Sequence, residues 1–332
     1  MKHNTPFIEI PQAPAIPGLA FRRFRDGDDL PAIANVMNAS VQTDGMNDRI
    51  TAEGLSDIYN HPVNWHPQQD SLLVTVNGEL VGFANTEWRD EQKGKRAHSI
   101  NLHLLAEYRG RGLERVIQRY MESISQQSIA AEPDSIRHWF SSIVALTWQS
   151  RVVVLRDSGY TPFIYYYEMQ RPLLDGDLPE AVLPTGFELR PALPEHYRSI
   201  WEAAEECFLD QQDYFVSNDD DFRAWVASQD FNPDLWLVAW DGDQVAGATL
   251  NNLHEVNWGE TNDLFVRRPW RKQGLGRALL VATLHRFKEH GLITAGLGVD
   301  SENLSGALSL YESLGYRPYQ RMTSYRKPID FH

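Results

Sequence analysis

One short segment of the chain combines the residue types that bind a phosphate group. Residues 271–277, with the sequence RKQGLGR, place three basic side chains around Gly274 and Gly276. The apolar residues before this segment predict a strand that ends at Val266, and those after it predict a helix. Free N–H groups at a helix start, together with the helix dipole, attract anions, and glycine lets a ligand approach closely. The segment therefore predicts a site for a phosphorylated ligand.

The spacing of the glycines narrows the choice of ligand. No Lys-Ser or Lys-Thr pair follows the glycines, and no third glycine completes a dinucleotide motif, since Arg277, Ala278 and Leu279 come next. The motif that remains is Arg271-x-x-Gly274-x-Gly276. Here the chain resembles the GNAT N-acetyltransferases, in which R/Q-x-x-G-x-G/A binds the pyrophosphate of acetyl-coenzyme A. A second similarity to that family lies in residues 299–316, VDSENLSGALSLYESLGY.

The resemblance implies a set of coenzyme contacts. The end of the strand would pair through its backbone with the pantetheine arm, and the loop and helix start would hold the pyrophosphate. One asparagine of the second similar segment would also contact the coenzyme. The implied coenzyme-binding residues are Leu264, Phe265, Val266, Arg271, Lys272, Gln273, Gly274, Leu275, Gly276, Arg277 and Asn303.

The resemblance also implies two catalytic residues. Tyr311 occupies the position of the family's general acid, which protonates the departing thiolate. The alternative for Tyr311 is an aromatic core residue on a helix that also presents Leu308 and Leu314. Glu260 occupies the position of the general base, which accepts the proton of the amine. Its alternatives are a solvated carboxylate at a strand end and a rival base at Asp263.

Strand geometry separates the two candidate bases. If side chains alternate along the strand, Glu260, Asn262, Leu264 and Val266 share one face and Asp263 lies on the other. This alternation favours Glu260 as the base.

The chain repeats itself once. Residues 186–190 resemble residues 18–22, 237–242 resemble 73–78, 271–274 resemble 109–112, and 313–316 resemble 157–160, at a nearly constant offset. A repeat of this length indicates a domain duplication. In the first copy, Asn77-Gly78 between two strand-like runs predicts a hairpin. We predict an α/β (α+β) fold of two tandem GNAT domains, each a mixed, mostly antiparallel sheet flanked by helices: residues 1–170, a proline-rich linker at 171–185, and residues 186–332.

The two predicted domains differ at the residues that matter for chemistry. Counting from matched glycines, Glu114 stands in the place of Gly276, Leu155 in that of Tyr311, and Thr147 in that of Asn303. A carboxylate where a pyrophosphate should bind opposes binding. The first domain is therefore predicted to be a degenerate copy, and the second to be catalytic.

Composition limits the partners. The 332 residues carry a net charge of −14, which argues against nucleic acid or an anionic membrane as a partner and favours a cationic substrate. The single cysteine provides neither a disulfide framework nor a cysteine-based metal site, and no metal is expected. No apolar run has transmembrane length, and residues 1–18 are unlike a signal peptide. A cytoplasmic protein is expected.

The combined prediction is an acetyl-coenzyme A-dependent N-acetyltransferase. Its acceptor would be the primary amine of a small molecule, which attacks the thioester directly with Glu260 as base and Tyr311 as acid. Two alternatives stay open: transfer to a protein or peptide amine, and a non-catalytic acyl-coenzyme A sensor. The identity of the amine and the oligomeric state do not follow from the sequence.

Overall fold

The polypeptide forms two compact units. A computed structural model describes residues 7–47, 49–91, 94–130, 135–174, 176–209, 214–215, 217–228, 230–254, 257–301 and 306–329. Unit 1 comprises Met1–Tyr165 together with Met322–His332, and unit 2 comprises Tyr166–Arg321.

Both units combine helices and strands. The helices are α1 (Leu30–Thr43), α2 (Ala52–Asn60), α3 (Pro67–Asp70), α4 (Leu113–Ile129), α5 (Gln149–Asp157), α6 (Tyr197–Phe208), α7 (Asp219–Ala227), α8 (Leu275–Glu289) and α9 (Ala307–Ser313). The strands are β1 (Phe7–Ile8), β2 (Leu19–Arg22), β3 (Ser71–Val76), β4 (Glu79–Glu91), β5 (Lys95–Leu104), β6 (Arg137–Ala145), β7 (Thr161–Pro172), β8 (Glu188–Arg190), β9 (Leu237–Asp241), β10 (Gln244–His254), β11 (Trp258–Val266), β12 (Thr294–Asp300) and β13 (Arg317–Pro328).

The strands of each unit form a mixed sheet. In unit 1 the order is β1-β2-β3-β4-β5-β6 followed by residues 322–328 of β13, and among the described residues only β5 and β6 are parallel. In unit 2 the order is β8-β9-β10-β11-β12 followed by residues 166–172 of β7, and β11 and β12 are the only parallel pair in the part of the unit that the structure describes. The predicted fold class, a mixed and mostly antiparallel sheet with helices, is confirmed.

Two strands cross the predicted domain boundaries. Residues 166–172 lie in unit 2 because they pair with β12, whereas the sequence assigned most of them to the first domain. Residues 322–328 lie in unit 1 because they pair with β6, whereas the sequence assigned them to the second. Backbone pairing decides this grouping, and the repeat in the sequence carries no signal for it.

Local signals in the sequence agree with the turns and helix faces. Asn77 and Gly78 have φ of +52° and +89° between β3 and β4, as a two-residue hairpin requires. In unit 2, Leu275 and Leu279 of α8 are fully buried against β9 and β10. Helix α6 packs on the opposite face of the same strands through Ile200. No helix among the described residues is long and apolar enough to cross a membrane.

Candidate active site

The loop between β11 and α8 is shaped as an anion site. Gly274 lies at the start of α8 with φ of +83°, and Lys272 is also left-handed with φ of +62°. Arg271 Nε donates to the carbonyl of Val266 at 2.9 Å, which ties the loop to the end of β11. The side chains of Arg271, Lys272 and Arg277 are exposed around the first turn of the helix. The structure thus brings together the residues predicted to bind pyrophosphate.

Open space lies in front of the first turn of α8. A Cβ atom at Gly276 would contact only Val266 Cγ2, at an ordinary 3.6 Å, and one at Gly274 would meet no atom of the described residues within 4 Å. Packing inside the chain therefore does not require glycine at position 276. The first N–H groups of a helix have no partner within the helix, so they face this open space.

Strands β11 and β12 separate beside the loop. Their parallel pairing runs from Trp258↔Thr294 to Thr261↔Leu297 and, among the described residues, stops there. Strand β11 continues to pair with β10 on its other side as far as Val266. The backbone edge of residues 262–266 that faces β12 is therefore open to an extended ligand. The predicted contacts Leu264, Phe265 and Val266 lie on this edge.

A β-bulge corrects the predicted alternation along β11. Thr261 pairs with Asn251 and Asp263 pairs with the preceding Leu250, so Asn262 is an extra residue. Beyond the bulge every side chain changes face. Leu264 and Val266 pack towards α8, and Asp263 lies on the same face as Glu260. The prediction that Asp263 points away from Glu260 was therefore wrong, because simple alternation does not include the extra residue.

Glu260 is held at the edge of the strand separation. Its Oε2 atom accepts a hydrogen bond from Trp258 Nε1 at 2.6 Å. Its neighbour across the parallel pair is Gly296, and a Cβ atom there would overlap the Glu260 carboxylate and the Trp258 indole. Gly296 thus provides the room that Glu260 and Trp258 occupy.

Burial raises the pKa values of both Asp263 and Tyr311. Burial, and secondarily the Glu205 carboxylate, raise the pKa of Asp263 to about 6. Tyr311 is 7% exposed, and burial together with the Asp263 carboxylate raises the pKa of its phenol to about 12. The Tyr311 phenol therefore keeps its proton at neutral pH. Both the acid and the core-aromatic interpretation agree with this burial.

Asn303 lies outside the described residues. Among those residues, no group of three or more His, Cys, Asp or Glu side chains forms a metal site. The sequence reasoning missed Trp258 and the two glycines of β12, Gly296 and Gly298. The signal for the glycines was their spacing of two, which puts both on one face of a strand.

Unit 1 fills the corresponding anion site with its own carboxylate. Glu114 is 1% exposed, and its Oε1 atom accepts from the Gly110 N–H at 2.7 Å and from Ser150 Oγ at 2.7 Å. At the other two positions, Leu155 is completely buried and Thr147 Oγ1 donates to Asp44 at 2.9 Å. All three predicted replacements therefore serve contacts within unit 1.

Part of the sequence matches an acetyltransferase family, and curated proteins of similar sequence have acetyltransferase names. Residues 195–316 match the sequence profile of the Acetyltransferase (GNAT) family. The chain is similar to a mycothiol acetyltransferase of Streptomyces scabiei, with 28% identity over 77% of this chain and 79% of that protein. The corresponding protein of Streptomyces coelicolor is 29% identical over 77% of this chain and 79% of its own length.

Solved structures of GNAT proteins have a similar fold. A GCN5-related N-acetyltransferase from Sphaerobacter thermophilus superposes with a TM-score of 0.71 at 25% identity, covering 94% of this chain and 98% of that one. A tandem GNAT protein from the clavulanic acid biosynthesis pathway superposes with a TM-score of 0.70 at 13% identity, covering 95% and 99%. The second likeness concerns the fold alone.

Proposed function

We propose that the chain is a GNAT acetyltransferase and that unit 2 transfers an acetyl group from acetyl-coenzyme A to the primary amine of a small molecule. The observation that carries this proposal is the open start of α8 beside the separation of β11 and β12. An anion site next to an unpaired strand edge suits a ligand with a pyrophosphate and an extended, amide-containing arm.

The coenzyme residues divide into two groups. The first-turn N–H groups of α8, with Arg271, Lys272 and Arg277, bind the pyrophosphate. The backbone of Leu264, Phe265 and Val266 pairs with the arm. Gln273 Nε2 donates to the carbonyl of Pro269 at 3.3 Å and so supports the loop. Leu275 anchors the helix start in the core, and Asn303 stays a predicted contact.

The chemistry needs a base, an oxyanion site and an acid. Glu260 accepts the amine proton, and the Trp258 N–H fixes the orientation of its carboxylate. The neutral amine then attacks the thioester carbonyl, and the unpaired strand edge supplies backbone N–H donors to the resulting oxyanion. The attacking nitrogen becomes cationic and releases its second proton to solvent as the C–S bond breaks. Tyr311, protonated at neutral pH because its pKa is raised to about 12, donates its proton to the departing thiolate.

Asp263 is a second candidate for the base. The bulge turns it onto the face of Glu260, and its pKa of about 6 lies near the value that favours proton transfer at neutral pH. Matched variants, Glu260→Gln and Asp263→Asn, separate the two. We expect Glu260→Gln to lower turnover by about a hundredfold or more. If only Asp263→Asn did so, the base would be Asp263.

A small-molecule acceptor agrees with the names of the curated relatives, which refer to mycothiol rather than to a protein. The test is thiol release from acetyl-coenzyme A by the full chain, measured against a panel of small amines and peptides. We expect amine-dependent release with small molecules and an acetylated product by mass spectrometry. Release with peptides alone would favour a protein acceptor. Coenzyme binding without release for any acceptor would favour a sensor.

A further inference from the structure

Strand β12 carries a floor of two glycines, Gly296 and Gly298, on the face of the sheet that carries Glu260. Gly296 is buried between β11 and β7. Gly298 lies beyond the last described pair of β11 with β12 and is exposed. Its partner in the antiparallel pair with β7 is Glu168, whose side chain therefore lies on the same face.

Packing explains one of these glycines and not the other. A Cβ atom at Gly296 would overlap the carboxylate of Glu260, so the chain itself needs glycine there. A Cβ atom at Gly298 would lie 3.5 Å from the carboxylate oxygens of Glu168, which is an ordinary contact. The space over Gly298 is therefore not required by the side chains around it, and it is available to a ligand.

Two carboxylates border this floor. Glu260 fills the space over Gly296, and the Glu168 carboxylate lies 3.5 Å from the position of a Cβ atom at Gly298. Positions two apart on a strand are separated by roughly 6–7 Å. The floor can therefore hold two cationic or hydrogen-bond-donating groups of one small molecule at about that spacing.

An independent observation points to a ligand at the same place. Asn252 is 3% exposed and pairs directly with Glu260, so its side chain lies on the same face. Its Nδ2 atom donates to Asp230 Oδ1 at 2.9 Å, which fixes the orientation of the amide. Its Oδ1 atom receives no hydrogen bond from the described residues. A buried carbonyl oxygen without a donor is unfavourable, and a ligand N–H beside Glu260 would satisfy it.

We propose that the floor of Gly296 and Gly298 is the acceptor subsite, and that it selects a small primary amine with a second hydrogen-bond donor about 6–7 Å from the reacting nitrogen. Glu260 and Asn252 Oδ1 hold two hydrogens of the reacting nitrogen. Glu168 accepts from the second donor, which is either an ammonium or a hydroxyl group. This inference rests on the proposed acetyl transfer.

The test uses three matched acceptors: 1,4-diaminobutane, 4-amino-1-butanol and n-butylamine. With acetyl-coenzyme A in excess, we expect kcat/KM for the diamine or the amino alcohol to exceed that for n-butylamine by about tenfold or more, as for a charge-assisted hydrogen bond. The stronger of the two identifies the second donor. Equal values for all three acceptors, or no transfer to any of them while another amine is acetylated, would overturn the subsite.

Single substitutions test which residues cause the preference for an acceptor with a second hydrogen-bond donor. Glu168→Gln should shrink the advantage over n-butylamine by about tenfold. The control Glu195→Gln removes an equal charge from an exposed position and should leave the ratio unchanged. Gly298→Ala should raise KM for the acceptor without changing the dissociation constant of acetyl-coenzyme A, because its methyl group covers the floor and not the loop at Gly274. An unchanged ratio in Glu168→Gln would refute the role of Glu168.

Calorimetry with acetyl-coenzyme A separates this inference from the proposed function. If the coenzyme binds and n-butylamine is acetylated as well as the diamine, the acetyltransferase stands and the subsite is wrong. If the coenzyme does not bind, both proposals fail together.

Discussion

The starts of α4 and α8 have the same backbone conformation, but a carboxylate lies at the first and a glycine at the second. Gly112 and Gly274 begin the two helices with φ of +89° and +83°, and the residues two before them, Gly110 and Lys272, are also left-handed. In unit 1 the Glu114 carboxylate accepts the Gly110 N–H beside the helix start, whereas in unit 2 Gly276 has no side chain at the corresponding position. The same backbone conformation can thus carry either an open helix start or a carboxylate of the chain itself.

The same contrast extends across both sheets. The backbone carbonyls of Leu155 and Tyr311 each accept a hydrogen bond from the N–H of the tyrosine five residues later, at 3.0 and 3.1 Å. The two residues therefore hold equivalent positions at two helix ends. Phe140 lies as far before Gly159 as Gly296 lies before Gly315, and Ser142 corresponds in the same way to Gly298. Ser142 Oγ donates to the carbonyl of Ile100 at 2.9 Å, which bridges the strands that stay apart in unit 2. We infer that unit 1 keeps the fold without the chemistry.

The most direct way to break the comparison is to copy unit 1 into unit 2. Gly276→Glu should abolish binding of acetyl-coenzyme A, because the new carboxylate can accept the Lys272 N–H as Glu114 accepts that of Gly110. We expect the affinity to fall by about a hundredfold or more, measured by calorimetry. The stoichiometry in the native chain should be one coenzyme, bound at this site.

Gly276→Ala is the size control for that experiment. Its Cβ atom meets only Val266 at 3.6 Å, and alanine favours a helix over glycine by about 1 kcal/mol, so the fold should be retained or slightly stabilised. Coenzyme affinity that is unchanged in Gly276→Glu, or a second coenzyme that remains bound, would contradict the assignment of the site and of unit 1.

The second largest effect is expected at Tyr311. Tyr311→Phe removes the acidic proton and keeps the ring, so turnover should fall by about a hundredfold while the affinity for acetyl-coenzyme A changes little. Tyr311→Leu, which copies Leu155, adds the loss of ring packing and should also lower the melting temperature. Wild-type turnover in Tyr311→Phe would make Tyr311 a core aromatic residue.

The sequence predicted most of the fold because its signals were local. The Asn77-Gly78 hairpin, the apolar face of α8 and the glycines at the starts of α4 and α8 depend on neighbouring residues, and the structure contains all of them. The exchange of β7 and β13 between the units depends on pairing between strands far apart in the chain, for which a single sequence has no local signal.

The candidate site divides in the same way. The basic loop is contiguous in sequence and could be predicted as a group. The face of Asp263 could not, because one extra residue at Asn262 reverses the alternation and only the register with β10 reveals it. Asn252 and Glu168 lie near Glu260 because of strand pairing. Residues close to Glu260 in the sequence therefore gave no signal that predicts either of them as a site residue.

A smaller effect is expected at Glu114 itself. Glu114→Gln replaces charge-assisted hydrogen bonds from Gly110 and Ser150 by neutral ones and should lower the free energy of unfolding by about 1–3 kcal/mol. The measurements are the urea midpoint and the hydrogen-exchange rate of the Gly110 amide, which should rise. Glu107→Gln, at an exposed position, is the control. Stability equal to or above that of the native chain would show that the carboxylate is not a stabilising substitute for a ligand.

A pH-dependent effect is expected at Asp263, whose counterpart in unit 1 is Asn101, as far from the end of β5 as Asp263 is from the end of β11. Because burial raises the pKa of Asp263 to about 6, the folded chain binds this proton more tightly than the unfolded chain does. Between about pH 4 and pH 6 the unfolded state loses the proton first, so Asp263 lowers the free energy of unfolding as the pH rises.

Asp263→Asn removes this dependence. We expect it to be close to the native chain in stability at pH 4 and more stable by about 3 kcal/mol at pH 8. Urea midpoints across this range test the expectation, with exposed Asp243→Asn as the control. Parallel pH curves for Asp263→Asn and the native chain would mean that the Asp263 carboxyl is solvated and that the two units do not differ in charge burial at this position.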